Sequence, residues 1–162
     1  MSEENSSSEA KMIAIGSDHA GYFLKKSIIK YLQDNGLDYM DFGPDSDDSV
    51  DFPDYAEKTS DAVVSGQCEK GILICGSGIG MSIAANKING IRAALCTTGL
   101  HARLSRQHNN ANILTVGSRT TGRDLVLDIV NEFLTTDYLG GRYEKRNEKI
   151  RLLEKRALKE DN

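Results

Sequence analysis

Short apolar runs alternate along the chain with longer stretches in which apolar residues recur every three or four positions. That rhythm predicts repeated βα units around a parallel sheet. Residues 12–15 form the first apolar run, and Phe23, Leu24, Ile28, Ile29, Tyr31 and Leu32 mark one face of a helix over 22–35 that Gly36 ends. A brief strand over 39–42 leads into the acidic turn Gly43-Pro44-Asp45-Ser46-Asp47-Asp48, then a helix from about Pro53 to Gly66. The run Gly71-Ile72-Leu73-Ile74-Cys75 is continuously apolar but too short for a helix, as expected of a central strand buried on both faces. A glycine-rich turn follows it into a helix over about 80–88. Residues 93–96 and 113–116 predict the fourth and fifth strands, each followed by a helix.

Beyond Gly140-Gly141, residues 142–159 are strongly charged with sparse apolar positions, which predicts a helix that is solvated or packed on a partner chain. Residues 1–11 are polar and serine-rich and lack the basic segment and apolar run of a secretory signal, so a disordered tail is expected. The chain thus divides into a tail at 1–11, one domain at 12–150 and a charged helical extension at 151–162. The whole composition, 39% hydrophobic and 27% charged over 162 residues, suits a single globular domain.

A formal net charge of −4, and no Lys/Arg run with interleaved aromatics, argue against nucleic acid or a membrane surface as partner. A small ligand is favoured, and local arginines and backbone amides would let it be anionic. No apolar stretch approaches the ~20 residues that span a bilayer, so a cytoplasmic address is the simplest expectation. Cys68, Cys75 and Cys96 make an odd count with no C-x-x-C pair, which points to free thiols and to neither a disulfide framework nor a zinc site.

Candidate chemistry collects where strands end and helices begin, because unpaired amides converge there. In Cys75-Gly76-Ser77-Gly78-Ile79-Gly80 the glycines permit close backbone approaches and leave N–H groups free to face an oxyanion or phosphate. The spacing is neither G-x-G-x-x-G nor a Walker A loop. Cys75, at the strand's last position, suits a base or nucleophile; it is equally a small apolar residue closing a buried strand. Another strand end carries Ser17-Asp18-His19-Ala20-Gly21, where Asp18 either serves a ligand or caps the helix. A third cluster, Ser105-Arg106-Gln107-His108-Asn109-Asn110-Ala111-Asn112, lies at a helix end before the fifth strand and also reads as a solvated turn. His101 is expected at the surface. Cys68 and Cys96 lie outside any comparable turn and read as core.

Taken together, Gly16 to Gly21, Asp51-Phe52-Pro53-Asp54-Tyr55-Ala56, the extended motif over 71–87, Ser105 to Asn109, Gly117-Ser118-Arg119 and Gly140-Gly141-Arg142-Tyr143-Glu144-Lys145-Arg146 resemble the type B ribose-5-phosphate isomerase family. That family also holds galactose-6-phosphate and allose-6-phosphate isomerases. The resemblance implies a Rossmann-like α/β/α sandwich with a five-stranded parallel sheet, and a homodimer or tetramer whose active sites combine residues of two subunits. It implies no metal and no cofactor. The implied reaction interconverts ribose 5-phosphate and ribulose 5-phosphate through an enediolate, a step of the non-oxidative pentose phosphate pathway; a six-carbon sugar phosphate, or sugar-phosphate binding without catalysis, are the alternatives.

By the same resemblance Cys75 is the proton-moving base, His108 assists ring opening with Asp18 nearby, and Ser77 with the amides of Gly76, Gly78, Ile79 and Gly80 holds the enediolate. His19, Arg142 and Arg146 match phosphate-binding positions, and Asn109 and Arg119 match further ligand contacts. On a helix Arg142 and Arg146, four apart, would share a face. Phe52 stands where tyrosine is common in the family.

Overall fold

The computed structural model describes residues 11–160, so the expected disordered tail falls, except for Lys11, outside the described residues, as do positions 161–162 of the extension. Among the described residues five strands, β1 (Ile13–Ser17), β2 (Tyr39–Asp41), β3 (Lys70–Cys75), β4 (Ala93–Leu95) and β5 (Ile113–Gly117), form one sheet in the order β2-β1-β3-β5-β4. Every neighbouring pair runs parallel. Helices α1 (Tyr22–Asp34), α2 (Phe52–Val64), α3 (Ile79–Ala85), α4 (Gly99–Asn109) and α5 (Arg123–Thr135) follow the strands in turn, and α6 (Arg142–Glu160) closes the chain.

The period-2 alternation of side chains divides each inner strand between two apolar layers. Ile13, Ile15, Ile72, Ile74, Leu114 and Val116 pack with Ile28 and Leu32 of α1 and with Val126, Ile129, Val130 and Phe133 of α5. On the other face Ala14, Leu73, Cys75 and Ile113 pack with Ala56, Ala62 and Val63 of α2 and with Met81 and Ala85 of α3. This is the Rossmann-like α/β/α sandwich that the family resemblance implied, built from the βα units that the apolar pattern predicted. All residues of β1, β3 and β5 are buried, whereas the edge strands β2 and β4 are short and partly exposed.

The third helix stops three residues before the expected position. Asn86, which caps it, turns its side chain to the start of β4: Nδ2 donates to the Ala93 carbonyl at 3.0 Å and Oδ1 accepts the Ala93 N–H at 2.8 Å. A side-chain amide that mimics a strand partner competes with helix continuation. No helix among the described residues is long and apolar enough to cross a membrane.

The two edges of the sheet carry different chemistry. At its carboxyl edge lie the connections leaving β1, β3 and β5; at its amino edge the C-terminal turn of α4 meets the starts of β3, β4 and β5. There the Asn112 carbonyl accepts from Gly71 N and the Arg92 carbonyl from Asn112 N and Ile113 N. Lys70 and Arg106 are both buried at this edge. Arg106 is answered by carbonyls: Nε donates to Thr136 O at 3.2 Å and Nη1 to Ala111 O. Among the described residues Lys70 has only a loose ion pair with Glu69 at 3.9 Å.

Burial first, and the Arg106 charge second, hold the Lys70 ammonium below its ordinary range. Its charged form is therefore favoured by unfolding, and the strain is relieved as pH rises through the depressed folded value toward the ordinary one. Lys70→Met, which keeps an unbranched stem, is expected to raise the urea midpoint at pH 7. The gain should shrink as pH rises through the folded value and vanish above about 10.4. An unchanged or lower midpoint at pH 7 would contradict this account.

Candidate active site

Three consecutive carbonyls at the end of β3 are taken by neighbouring loops. Ile74 O accepts from Asp18 N at 3.1 Å, Cys75 O from Ser118 N at 2.9 Å and Gly76 O from Arg119 N at 2.9 Å. Ser118 Oγ also donates to Ala20 O at 2.8 Å, which ties the β5 loop to the β1 loop. Approaches this close exclude side chains at two points. A Cβ on Gly21 would stand 2.6 Å from Ile74 O, and one on Gly117 would stand 2.6 Å from the Ser77 carbonyl carbon.

With these three carbonyls occupied, the β3 loop keeps amides without backbone partners. Among the described residues the N–H groups of Gly76, Ser77 and Gly80 donate to no backbone acceptor. Gly78, at φ 75°, reverses the chain so that its own N–H donates to Cys75 Sγ at 3.1 Å. Gly78 is in the left-handed region that glycine tolerates, and a Cβ there would also meet Leu95 at 2.6 Å. The positive end of an amide therefore faces the sulfur. Ser77 Oγ accepts from Ile79 N at 3.2 Å, leaving its hydrogen free to donate outward. Beside the loop the exposed Arg119 places Nη1 3.3 Å from where a Gly76 Cβ would be. A buried thiol, amides without backbone acceptors, a hydroxyl and a guanidinium thus share one edge of the sheet.

Asp18 and His19 enter from β1. Asp18 is buried and Oδ1 accepts from Gly21 N at 3.0 Å. The cap of α1 is Gly21 and makes no side-chain bond, so Asp18 closes the turn before the helix; it is not the helix cap. Half-buried His19 accepts at Nδ1 from Val50 N at 3.2 Å. As a neutral ring it carries its proton on Nε2.

The remaining predicted residues stand elsewhere. His108 and Asn109 end α4 at the amino edge of the sheet, and Arg142 and Arg146 lie on the first turns of α6 beside them. The His108 and Tyr143 rings stack at 4.3 Å, and both guanidiniums lie over Tyr143, Arg142 at 5.0 Å and Arg146 at 5.7 Å. Arg142 Nη2 also donates to Tyr143 Oη at 2.9 Å. Asn147 Nδ2 donates to both His108 O (2.9 Å) and Tyr138 Oη (2.8 Å), fixing α6 to the end of α4. β5 separates this group from Cys75 by roughly 13 Å of strand.

The structure corrects the reading of residues 105–112 as a solvated turn: Ser105 and Arg106 are buried, and Arg106 ties α4 to the connection before α6. His101 is exposed, at the opposite end of α4 from His108. Tyr143, Asn147 and Lys25 had no role from sequence. Lys25 left a signal: with Ile28 and Leu32 it makes the buried stripe of α1, so a lysine occupies an apolar position. Among the described residues no group of three or more His, Cys, Asp or Glu is placed to hold a metal ion.

A doubly wound parallel sheet whose carboxyl edge joins a strand-end thiol to an amide-lined anion loop defines an α/β enzyme class that handles small anionic substrates. Comparison with known proteins gives the family. A family model described as Ribose/Galactose Isomerase matches residues 13–150, and the chain belongs to that family. It is 46% identical over 146 residues to ribose-5-phosphate isomerase B of Escherichia coli, covering 90% of this chain and 98% of that one. Among solved structures, ribose-5-phosphate isomerase B of Clostridium thermocellum is 51% identical with a TM-score of 0.89, covering 90% and 99% of the two chains. The Mycoplasma genitalium enzyme with bound ribulose-5-phosphate is 40% identical with a TM-score of 0.86, covering 90% and 97%.

The three buried thiols differ in surroundings. Burial pushes Cys96 up to about 11, against a smaller opposing effect of its Ser105 hydrogen bond, and burial also raises Cys68. At pH 8 the Cys96 thiolate is then roughly one part in a thousand. Iodoacetamide at pH 8 should alkylate Cys75 in the native protein and reach Cys68 and Cys96 only after denaturation, as read by peptide mass mapping. Native labelling of Cys96 ahead of Cys75 would contradict the assignment.

Proposed function

We propose that the protein interconverts ribose 5-phosphate and ribulose 5-phosphate, with Cys75 as the base. The observation that carries this reading is the thiol at the end of β3 with the Gly78 N–H directed at its sulfur, beside a loop whose free amides await an oxyanion. Aldose–ketose isomerisation takes a proton from the carbon next to a carbonyl and returns it to the neighbouring carbon. Cys75 Sγ takes the C2 proton of the open-chain aldose, the C1 oxygen becomes negative, and the same sulfur delivers the proton to C1. Ser77 Oγ–H and the amides of Gly76 and Gly80 stabilise the enediolate oxygen. Asp18, buried next to this edge, exchanges the hydroxyl protons. His19 and Arg119 contact the rest of the ligand.

His108, Asn109, Arg142 and Arg146 complete the site only from a second copy of the chain. One subunit's amino-edge group, which opens the furanose ring through His108 and grips phosphate through the two arginines, is brought to the other's carboxyl edge. The exposed apolar residues support such pairing. Ile79 and Ile83 flank the Cys75 loop, and Ile150 and Leu153 lie along α6 on a groove of about 830 Å³. Hydrophobic side chains clustered beside both half-sites are what a self-complementary interface buries.

Cys75→Ala is expected to lower kcat roughly a thousandfold, with calorimetric affinity for ribose 5-phosphate held within about threefold. Full turnover in that variant would remove Cys75 as the base. Comparing wild-type turnover on ribose 5-phosphate, allose 6-phosphate and galactose 6-phosphate identifies the sugar, the first being expected to dominate.

Co-expression tests the shared site separately. Cys75→Ala and His108→Ala are each expected to be inactive alone, yet a mixed dimer joins one intact Cys75 to one intact His108. Random mixing should restore about a quarter of wild-type activity, since half the dimers are mixed and each has one of its two sites intact. Mixtures no more active than their parents would place both residues in one subunit's site.

A further inference from the structure

The connection between β2 and α2, together with the first residue of α2, touches both ligand loops of the carboxyl edge. Val50 N donates to His19 Nδ1, and the Phe52 ring lies against the β3 loop, 2.9 Å from where a Gly80 Cβ would stand. A buried cation holds the start of this connection. Lys25, 1% exposed on α1, donates from Nζ to Pro44 O at 2.7 Å and to Asp41 Oδ1 at 2.8 Å. The same Asp41 oxygen accepts Gly43 N at 2.9 Å, and the Gly43 carbonyl accepts Ser17 N at 3.0 Å. One turn earlier on α1, Tyr22 Oη donates to Asp45 O at 3.2 Å. The anchored stretch is thereby keyed to the end of β1, immediately before Asp18 and His19.

We infer that Lys25 is a positioning residue for the ligand contact made by His19. By fixing Gly43 and Pro44 it sets the path of the chain to Val50, whose amide keeps Nδ1 of His19 as the acceptor and presents Nε2–H to the ligand. Packing alone asks for an apolar residue at this place on α1, where Ile28 and Leu32 are its buried companions. A lysine supplies what an apolar residue cannot, a donor long enough to reach the Pro44 carbonyl and a charge to answer Asp41. The inference rests on the reading of His19 as a substrate contact.

Steady-state kinetics on ribose 5-phosphate test it, with the wild type and Cys75→Ala run alongside. No turnover by the wild type would defeat the functional reading itself. Given wild-type turnover, Lys25→Met is expected to raise KM roughly tenfold, the equivalent of one lost positioning hydrogen bond, with kcat within about twofold. In a His19→Ala background the same substitution should change KM less than about twofold, because the residue it positions is gone. The imidazole nitrogen-15 spectrum of His19 in free Lys25→Met should lose the single Nε2–H pattern of the wild type.

A folded Lys25→Met with unchanged KM would overturn the inference, as would an equal rise in KM with and without His19. Should Lys25→Met not fold, Asp41→Ala releases the same anchor from its more exposed side. It is expected to raise KM in the same His19-dependent way, and an unchanged KM there overturns the inference equally.

Discussion

The carboxyl edge of the sheet depends on the way the last carbonyls of β3 are satisfied. A parallel strand that stops leaves its final C=O groups without ladder partners, and burying them unpaired costs about 1–3 kcal/mol each. Here Ile74, Cys75 and Gly76 accept in succession from Asp18, Ser118 and Arg119, so the loops leaving β1 and β5 are drawn over the loop leaving β3. The sequence consequences are Gly21 and Gly117, positions where a Cβ would collide with β3 backbone or with Ser77. The chemical consequence is a segregation of polarity: three carbonyls are taken by neighbouring loops, while the amides of Gly76, Ser77 and Gly80 keep no backbone acceptor among the described residues. An edge lined by donors favours an anion, and that alone makes it suitable for a phosphorylated sugar whose reaction passes through an oxyanion.

The same topology that builds this edge removes half of the proposed site from it. Each helix of a βα unit returns the chain to the amino edge, so residues at the end of α4 stand a full strand length from those at the end of β3. His108 and Cys75 are both functional candidates, and no rotamer brings them together in one chain. The proposed pairing of two copies about a twofold axis would resolve the difficulty, because each carboxyl edge would then meet the partner's amino edge and two equivalent sites would arise from one self-complementary interface. The stacking of His108 on Tyr143, with Arg142 and Arg146 over the same ring, makes that proposed half coherent within one chain. It is presented as a preassembled patch.

Much of this was legible in the residues. The alternation of short apolar runs with helical periodicity gave all five strands to within a residue or two, because the inner strands β1, β3 and β5 are buried on both faces and so read as continuous apolar runs too short for helices. Cys75, Asp18 and His19 were legible as strand-end residues. What could not be read was contact across distance. Nothing local marks Val50 as the partner of His19, Tyr143 as the platform for His108, or Asn147 as the brace between α6 and α4, since each bond joins residues 31 or more positions apart or meets only when two helices dock. The polarity of Ser105 and Arg106 misled in the ordinary way: a charged residue in a turn is usually solvated, whereas Arg106 is buried because carbonyl oxygens at Ala111 and Thr136 replace water around it.

Buried cations recur in the framework of both half-sites, and the reason is geometric more than energetic. An apolar residue in place of Lys25 or Arg106 would hold its helix to the neighbouring element at least as well, since desolvating a charge costs free energy that a hydrophobic contact does not. An apolar contact is indifferent, however, to how the facing backbone is turned. Lys25 requires the Pro44 carbonyl to point at it, and Arg106 requires the same of Ala111 and Thr136. Each therefore selects one conformation of an irregular connection, and each connection carries or abuts a residue of the proposed site, Val50 against His19 in one case and the turn after His108 in the other. Where a site is made on loops, and half of it is proposed to meet a second molecule in a fixed register, directional bonds from buried donors supply the definition that helix and sheet would otherwise provide.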